Sequence, residues 1–477
     1  MSEQVYLGID LGAESGRVMA GVWNGKAIRI EELHRFSNGP VNVCDTLRWD
    51  VLRLWTEIQH GLTIAAKRYG DTIISVGVDT WGVDFVLLTK SGEMLGQPYH
   101  YRDARVHGMF KEAFHRVPKA EIFAQTGVQF MEINTLYQLL AWKRSNPELL
   151  DAADCLLMMP DFIHWCLCGS RLAEFTNATT SQCLNPIKRD WARGMLEKFG
   201  LPKHIFPKIV PPGTELGRLR KSVSQRTGLG RIMVVAPPTH DTASAVAGIP
   251  TVNTGLNDWA YISSGTWSLM GIERPNAVLT DRVLELNFTN EGGIDGTFRL
   301  LKNITGLWLV QQCKKAFDAG GPSLDYAQLA SLAESVDGPP AIIDPDHPSL
   351  VNPPDMPAAI QALCRETDQP VPKSKGGLVR CALESMAAKY ATVLEGLEEL
   401  AGKRIAVIHV VGGGSRNPLL NQLAANRCGR RLVAGPVETT VLGNVLSQAR
   451  AAGELESLSQ MRQVVRSSSD LKVFEPI

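Results

Sequence analysis

Apolar positions along the first eighty residues change period twice. "QVYLGID" and "GRVMAGVW" are apolar, β-rich runs split by a small-residue turn, which predicts two strands. "KAIRIEELHRF" follows Asn24-Gly25, a dipeptide that favours a tight hairpin turn. The spacing then switches. Val51, Leu54, Trp55, Ile58, Leu62 and Ala65 fall on one helical face, and Asp50 stands where an N-cap carboxylate belongs. "TIISVGVD" returns to a buried strand ending at Asp79. Three strands, a helix and a further strand, ending in acidic or glycine-rich turns, predict an α/β layer fold.

Residues from about 105 to 230 are mostly helical in pattern, with the prolines of "LPKHIFPKIVPPG" marking loops. Near residue 250 the strand-rich order begins again. "DWAYISSGTWSLMGI" reads as strand, small-residue turn, strand, like the N-terminal hairpin. A long helical stretch around "LVRCALESMAAKYATVLEGLEELAG" precedes "RIAVIHVVGGGSRN", a buried strand running into glycines, and "NPLLNQLAANRCG" reads as a helix. No short-period repeat occurs, so the expectation is two related halves, residues 1–250 and 251–477.

Composition narrows the function classes. A chain of 477 residues is too long for one ordinary core. Lys+Arg and Asp+Glu are 49 each, so no global field recruits nucleic acid or an anionic membrane. No apolar run reaches the ~18 residues of a membrane span, and "MSEQVYLGID" has no secretory pattern. The nine cysteines are dispersed, without a C-x-x-C pair, as expected of reduced thiols in a cytoplasmic protein. No H-E-x-x-H zinc motif occurs among the ten histidines. The chain is expected to act on a small molecule, as a monomer or small homo-oligomer.

Three small-residue turns follow or join predicted strands: "DLGAESGR" (10–17), "SSGTWS" (263–268) and "VGGGSRN" (411–417). Singly, each serves backbone geometry as readily as phosphate binding. None is a Walker A loop. Glycines let backbone N–H groups approach oxyanions, and Ser15 or Thr266 adds a hydroxyl donor. "PPTHDTASAVAGI" places His240 and Asp241 between the apolar run "IMVVA" and an alanine-rich helix. Asp241 suits a helix N-cap or a catalytic base, and His240 a buried loop histidine or a ligand contact.

The order and separation of these turns, with "HDT" between them, resemble the FGGY carbohydrate kinases. "DTWGVDFVLL" (79–88), "YRDAR" (101–105), "NTLYQL" (134–139), "NATT" (177–180), "YISSGTWSLMG" (261–271), "TNEGG" (289–293), "LKNITGLWL" (301–309), "CRET" (364–367) and "AGPVE" (434–438) extend the resemblance over nearly the whole chain. It implies an α/β fold of two duplicated actin-like ATPase (ribonuclease H-like) domains with an interdomain cleft that closes over ATP and sugar. It also implies that Asp241 is the catalytic base, and that Gly82, Trp81, His240, Thr242 and Asn303 contact the sugar. Ala13, Glu14, Ser15, Gly16, Arg17, Thr266, Gln311 and Gly413 would contact ATP, and Asp10 would help hold Mg²⁺ through water. Trp81 suits core packing as well as sugar contact, and Asp84 and Arg102 suit sugar hydroxyls or a structural ion pair. Glu14 departs from the small residue or hydroxyl common there, and is expected to point outward while backbone amides bind. Cys364 and Cys381 align with a pair that approaches in relatives, and are expected to be reduced; Cys428 has no evident partner. Within the family the resemblance is closest to kinases that phosphorylate L-rhamnulose at its C1 hydroxyl. L-Fuculose or another ketose, or a non-catalytic nucleotide or sugar sensor of the same fold, are the alternatives.

Overall fold

The computed structural model describes residues 3–255 and 258–477. The chain forms two compact units. The first takes the chain up to Thr254 together with Glu273–Leu300 and Thr439–Ser468; the second takes Gly255–Ile272, Leu301–Glu438 and Ser469–Ile477.

The first unit is built on strands β1 (Gln4–Leu11), β2 (Ser15–Trp23), β3 (Ile28–Ser37), β4 (Ile73–Thr80), β5 (Thr214–Arg218) and β6 (Met233–Ala236), in the order β5-β6-β4-β1-β2-β3. β1, β4 and β6 are parallel, and β2 and β3 run antiparallel as a meander. Alternation along β1 decides what covers each face. Val5, Leu7, Ile9 and Leu11 join the core that buries Leu54, Ile58, Leu62 and Ala65 of helix α1 (Val51–Tyr69). Asp50 caps α1 as expected, accepting from the Arg53 N–H at 3.1 Å.

Tyr6, Gly8 and Asp10 take the opposite face of β1. Helix α2 follows β6 at Asp241–Ala247, and after the second unit the chain returns as helix α3 (Thr439–Ala451), whose Val441 and Val445 pack with Tyr6 and Met19. α2 and α3 touch backbone to backbone. A Cβ on Gly443 of α3 would stand 1.8 Å from the Ser244 carbonyl oxygen of α2, an approach only glycine permits. Gly443→Ala is therefore expected to cost at least about 2 kcal/mol of stability and to displace the start of α2, where Asp241 sits. Thermal unfolding and turnover measured together check this, and an unchanged midpoint would rule out the contact.

The second unit repeats the motif. Strand β7 (Trp259–Ser264) pairs antiparallel with β8 (Trp267–Arg274) and parallel with β10 (Val407–Val411), with β9 (Phe298–Thr305) beyond β8 and β11 (Arg431–Ala434) and β12 (Lys472–Phe474) beyond β10; the last two residues of β8 and the first three of β9, Arg299 among them, belong to the first unit. The long helical pattern forms one helix, Lys375–Ala401, and "NPLLNQLAANRC" forms the helix Pro418–Cys428. Among the described residues, no helix is long and apolar enough to cross a membrane.

Candidate active site

Three parallel strands of the first unit end at one place, and ligands in open α/β sheets bind beyond such carboxyl ends. β1 ends on Asp10-Leu11, β4 on Asp79-Thr80, and the loop after β6 brings Thr239 and His240 alongside Thr80, whose N–H donates to the Thr239 carbonyl at 2.9 Å. Asp10 and Asp79 are register neighbours on the face that α3 covers.

Asp10, 6% exposed, is paired with the Arg17 guanidinium directly across the β1–β2 hairpin. Asp79 is fully buried. Its Oδ2 accepts from Asn444 Nδ2 of α3 at 2.6 Å, and Asn444 in turn is held by Gln448 at 2.7 Å. Burial, with the Asp10 charge beside it, pushes the Asp79 carboxyl well up, and the Asn444 bond opposes the rise. Asp241 opens α2 as its first residue, with His240 at the N-cap position, so its carboxylate is not the N-cap. Asp241 Oδ1 accepts from Thr242 N at 2.5 Å and Thr242 Oγ1 at 3.1 Å, and His240 Nε2 lies 3.4 Å away. The side chain keeps 31% of its surface open. The protein crowding its other sides raises the carboxyl above the usual carboxylate range; His240 lowers it and Asp10 raises it further. Such a carboxylate is a better proton acceptor than a solvated one.

Three carboxyls, Asp10, Asp79 and Asp241, thus gather here, with Arg17 paired to Asp10 and burial driving Asp79 toward its neutral form. Among the described residues no group of three or more His, Cys, Asp or Glu is arranged to hold a metal ion directly. An all-oxygen donor set with surplus charge fits a hard divalent cation that keeps its waters and binds one or two carboxylates with phosphate.

The loop between β1 and β2 places Ala13 against the hydrophobic core, Glu14 exposed at the turn, and Ser15, Gly16 and Arg17 at the start of β2. Gly12 N donates to the Ser15 carbonyl at 2.9 Å, and Asn38 Nδ2 to the Gly12 carbonyl at 2.7 Å. Gly16 has a packing reason of its own, because a Cβ there would meet the Phe36 ring at 2.2 Å.

Beyond β4 the chain turns sharply through Trp81, Gly82, Val83 and Asp84. Val83 has φ 67°, a strained value for a β-branched residue. Thr180 explains Gly82: a Cβ would fall 2.9 Å from the threonine side chain, whose Oγ1 also accepts from Val83 N at 3.0 Å. Asp84 faces inward and is fully buried. Its Oδ2 accepts from the indoles of Trp49 at 2.5 Å and Trp81 at 3.0 Å, and Oδ1 from Gln138 Nε2 at 2.7 Å. Trp81 is 6% exposed and stacks on Trp49 at 4.1 Å between centroids, so core packing is its main occupation.

Three buried residues that do not stand out in the sequence organise this site. Glu174 accepts from Thr239 N at 3.0 Å and Thr239 Oγ1 at 2.6 Å, as well as from Thr176, fixing the loop before His240. Arg299 and Glu291 meet the His240 ring, at 3.0 Å and 3.3 Å from Nδ1. The one signal for Arg299 is a lone cation inside the apolar run "FRLL".

In the second unit the structure brings together Thr266, Gln311 and the GGG turn. Gln311 Nε2 donates to Thr266 Oγ1 at 3.3 Å, and the Thr266 carbonyl accepts from Gly306 and Trp308 N–H groups at 3.2 Å. Gly412 and Gly414 lie against Ser264, where a Cβ would be 2.9 Å from its carbonyl oxygen and 2.0 Å from its hydroxyl respectively. In front of Gly413 there is open space. Asn303 is half-buried on β9. All nine cysteines are free, and Cys364 and Cys381 are both buried, each thiol pushed up by its burial.

Comparison with known proteins gives a consistent answer. Residues 5–248 match the N-terminal domain, and residues 260–452 the C-terminal domain, of the FGGY family of carbohydrate kinases. A rhamnulokinase of Bacteroides thetaiotaomicron is 43% identical, covering 99% of this chain and 96% of its own length, and one of Bacillus subtilis is 40% identical, covering 99% and 95%. Among solved structures, the xylulose kinase of Lactobacillus acidophilus superposes with a TM-score of 0.80 at 16% identity, covering 99% of this chain and 94% of that one. Plasmodium falciparum glycerol kinase with ADP gives 0.77 at 16% identity, covering 99% and 94%. With both family domains present in order and relatives of this similarity along nearly its full length, the chain belongs to the FGGY family of carbohydrate kinases and uses ATP to phosphorylate a sugar.

Proposed function

We propose that this kinase transfers the γ-phosphoryl group of ATP to the C1 hydroxyl of L-rhamnulose, giving L-rhamnulose 1-phosphate in L-rhamnose catabolism, with Asp241 as the general base. The observation that carries the residue assignment is the Asp241 carboxylate itself, raised in pKa, partly open, and set beside Asp10 at the ends of three parallel strands. The choice of sugar rests on rhamnulokinases being relatives at 38–43% identity.

The described hydrogen bonds to Asp241 fall on Oδ1, so Oδ2 is the oxygen offered to the sugar hydroxyl. As the C1 oxygen attacks phosphorus, its proton passes to Asp241 and ADP leaves. Phosphoryl transfer has a loose transition state, so positioning and charge stabilisation supply most of the acceleration. Gly82, Trp81, His240, Thr242 and Asn303 take the sugar side. Ala13 to Arg17, with Thr266, Gln311 and Gly413, take the nucleotide. Glu14, exposed at its turn, leaves phosphate contact to the backbone amides. Mg²⁺ bound with ATP neutralises charge on the phosphates, and Asp10 would hold it through water. The nine free thiols favour a reducing compartment, and we place the reaction in the cytoplasm.

The test is ADP release from MgATP across L-rhamnulose, L-fuculose, D-xylulose, D-ribulose and glycerol. L-Rhamnulose is expected to give the highest kcat/KM by at least about tenfold, which is ~1.4 kcal/mol of transition-state discrimination. Preference for another member of the panel would reassign the sugar and leave the chemistry standing. No sugar-stimulated release would defeat the kinase reading and favour a sensor.

A further inference from the structure

We propose that Arg299 is a positioning residue that holds the His240 imidazole in its Nε2-protonated tautomer and aims that N–H at Asp241 and the sugar. The inference rests on the assignment of His240 and Asp241 to the reaction site.

Arg299 lies on β9 between Phe298 and Leu300, and its side chain is wholly buried. Its Nε donates to the Gly292 carbonyl at 2.9 Å. Its Nη2 reaches both His240 Nδ1 at 3.0 Å and Glu291 Oε2 at 3.2 Å. A guanidinium has donors and no acceptor. Nδ1 must therefore present its lone pair to Arg299, and the ring proton belongs on Nε2. The far side of the ring requires the same answer independently. Nε2 lies 3.4 Å from Asp241 Oδ1, where an N–H attracts and a lone pair would repel the carboxylate. The alternative tautomer, with Nδ1–H directed to Glu291 Oε2 at 3.3 Å, would set two hydrogens against each other at Arg299 and fail at Asp241 as well.

The backbone that carries the ring is fixed too. His240 N donates to Thr176 Oγ1 at 3.2 Å, so backbone and imidazole are both held before any substrate arrives. Buried ion pairs such as Arg299–Glu291 contribute little net stability, because desolvation cancels most of the attraction. Orientation of His240 gives the pair a reason to be there. With Thr242 donating twice to Oδ1 and Nε2 3.4 Å from the same oxygen, Oδ2 is left to meet the hydroxyl to be deprotonated.

The test uses the full chain labelled with ¹⁵N-histidine, with the His240 signals assigned by their loss in His240→Gln. The ring nitrogens of the wild type are expected to show the Nε2–H pattern, one pyrrole-like and one pyridine-like shift. A reversed pattern, or the degenerate shifts of an imidazolium, would overturn the proposal even if no Arg299 variant folds. Arg299→Met, of similar length without donors, is expected to mix the tautomers and lower kcat about 10- to 100-fold with the ATP KM unchanged, while Arg299→Lys restores most of it. An unaltered spectrum and unaltered kcat in Arg299→Met would also overturn it. Adding L-rhamnulose separates this from the site reading. An Nε2–H pattern that does not respond to sugar keeps the tautomer lock and removes His240 from the sugar site.

Discussion

Asp241→Asn is expected to lower kcat by about 10²- to 10⁴-fold while leaving the dissociation constants for ATP and sugar within a few-fold of the parent. Asparagine keeps the shape, and its Oδ1 still accepts from Thr242 N and Oγ1, so the start of α2 remains formed. What is lost is an oxygen that can take a proton. Removing a charge beside Asp10 also relieves repulsion, so the variant should fold at least as well as the parent. The parent's kcat/KM should fall as pH drops through the Asp241 pKa, because only the ionised carboxylate accepts the proton. Burial raises that pKa, so the acid limb should lie above the range of a solvated aspartate. Steady-state kinetics with equilibrium binding of both substrates decide the matter. Turnover near the parent rate would mean that Asp241 only shapes the first turn of α2.

Much of the first unit is legible in its periodicities, because β1 to β4, β6 and α1 carry apolar runs of strand or helical spacing; β5, which buries no whole side chain, lies in a stretch whose pattern reads as mostly helical. Alternation in β1 even assigns Asp10 to the side opposite Val5, Leu7 and Ile9. The same local logic finds the three small-residue turns but cannot say what each glycine is for. Gly16 stands where it does because Phe36 occupies the space of its side chain, whereas Gly413 faces open space between two glycines that Ser264 requires. Hairpin spacing likewise places Arg17 opposite Asp10, so the guanidinium that the resemblance implies for ATP already engages a carboxylate.

The supporting partners are illegible for a different reason. Asn444 lies 365 residues from Asp79, and Arg299 lies 59 from His240; nothing in a single chain couples such positions before it folds. Their mark is an unexpected polar residue in an apolar element: Asn444 and Gln448 one turn apart on α3, Arg299 in "FRLL", Glu174 before "FTNATT". A buried polar group costs free energy unless it is bonded, so each such position implies an unseen partner without naming it.

Asp84 shows how far one of these hubs controls the site. It is fully buried, and burial lifts its carboxyl to about 6 against the pull of its Gln138, Trp49 and Trp81 hydrogen bonds. Asp84→Asn is expected to destabilise the first unit by about 2–4 kcal/mol, because no arrangement of the amide satisfies all three donors. The Asn Oδ1 can accept from both indoles, but its NH₂ then faces the NH₂ of Gln138. Flipping Gln138 removes that clash and creates another, since its Oε1 accepts from Arg105 Nη2 at 2.9 Å and its Nε2 donates to the Ile133 carbonyl at 2.9 Å. Whichever way the two amides turn, a donor of this network stays unmet, so Trp81 and the Gly82-Val83 turn are held less firmly, and the sugar KM should rise about tenfold or more while the ATP KM holds. A pH signature separates this from general damage. A folded pKa of about 6 against ~3.9 unfolded gives a contribution fully present below pH ~4 and lost as pH rises through about 6, roughly 3 kcal/mol in all. In Asp84→Asn that segment of the stability–pH curve should flatten. Denaturation from pH 4 to 8, with sugar kinetics at pH 7.5, would show it; parent-like stability and sugar KM together would mean that the hub neither anchors Trp81 nor supports the fold.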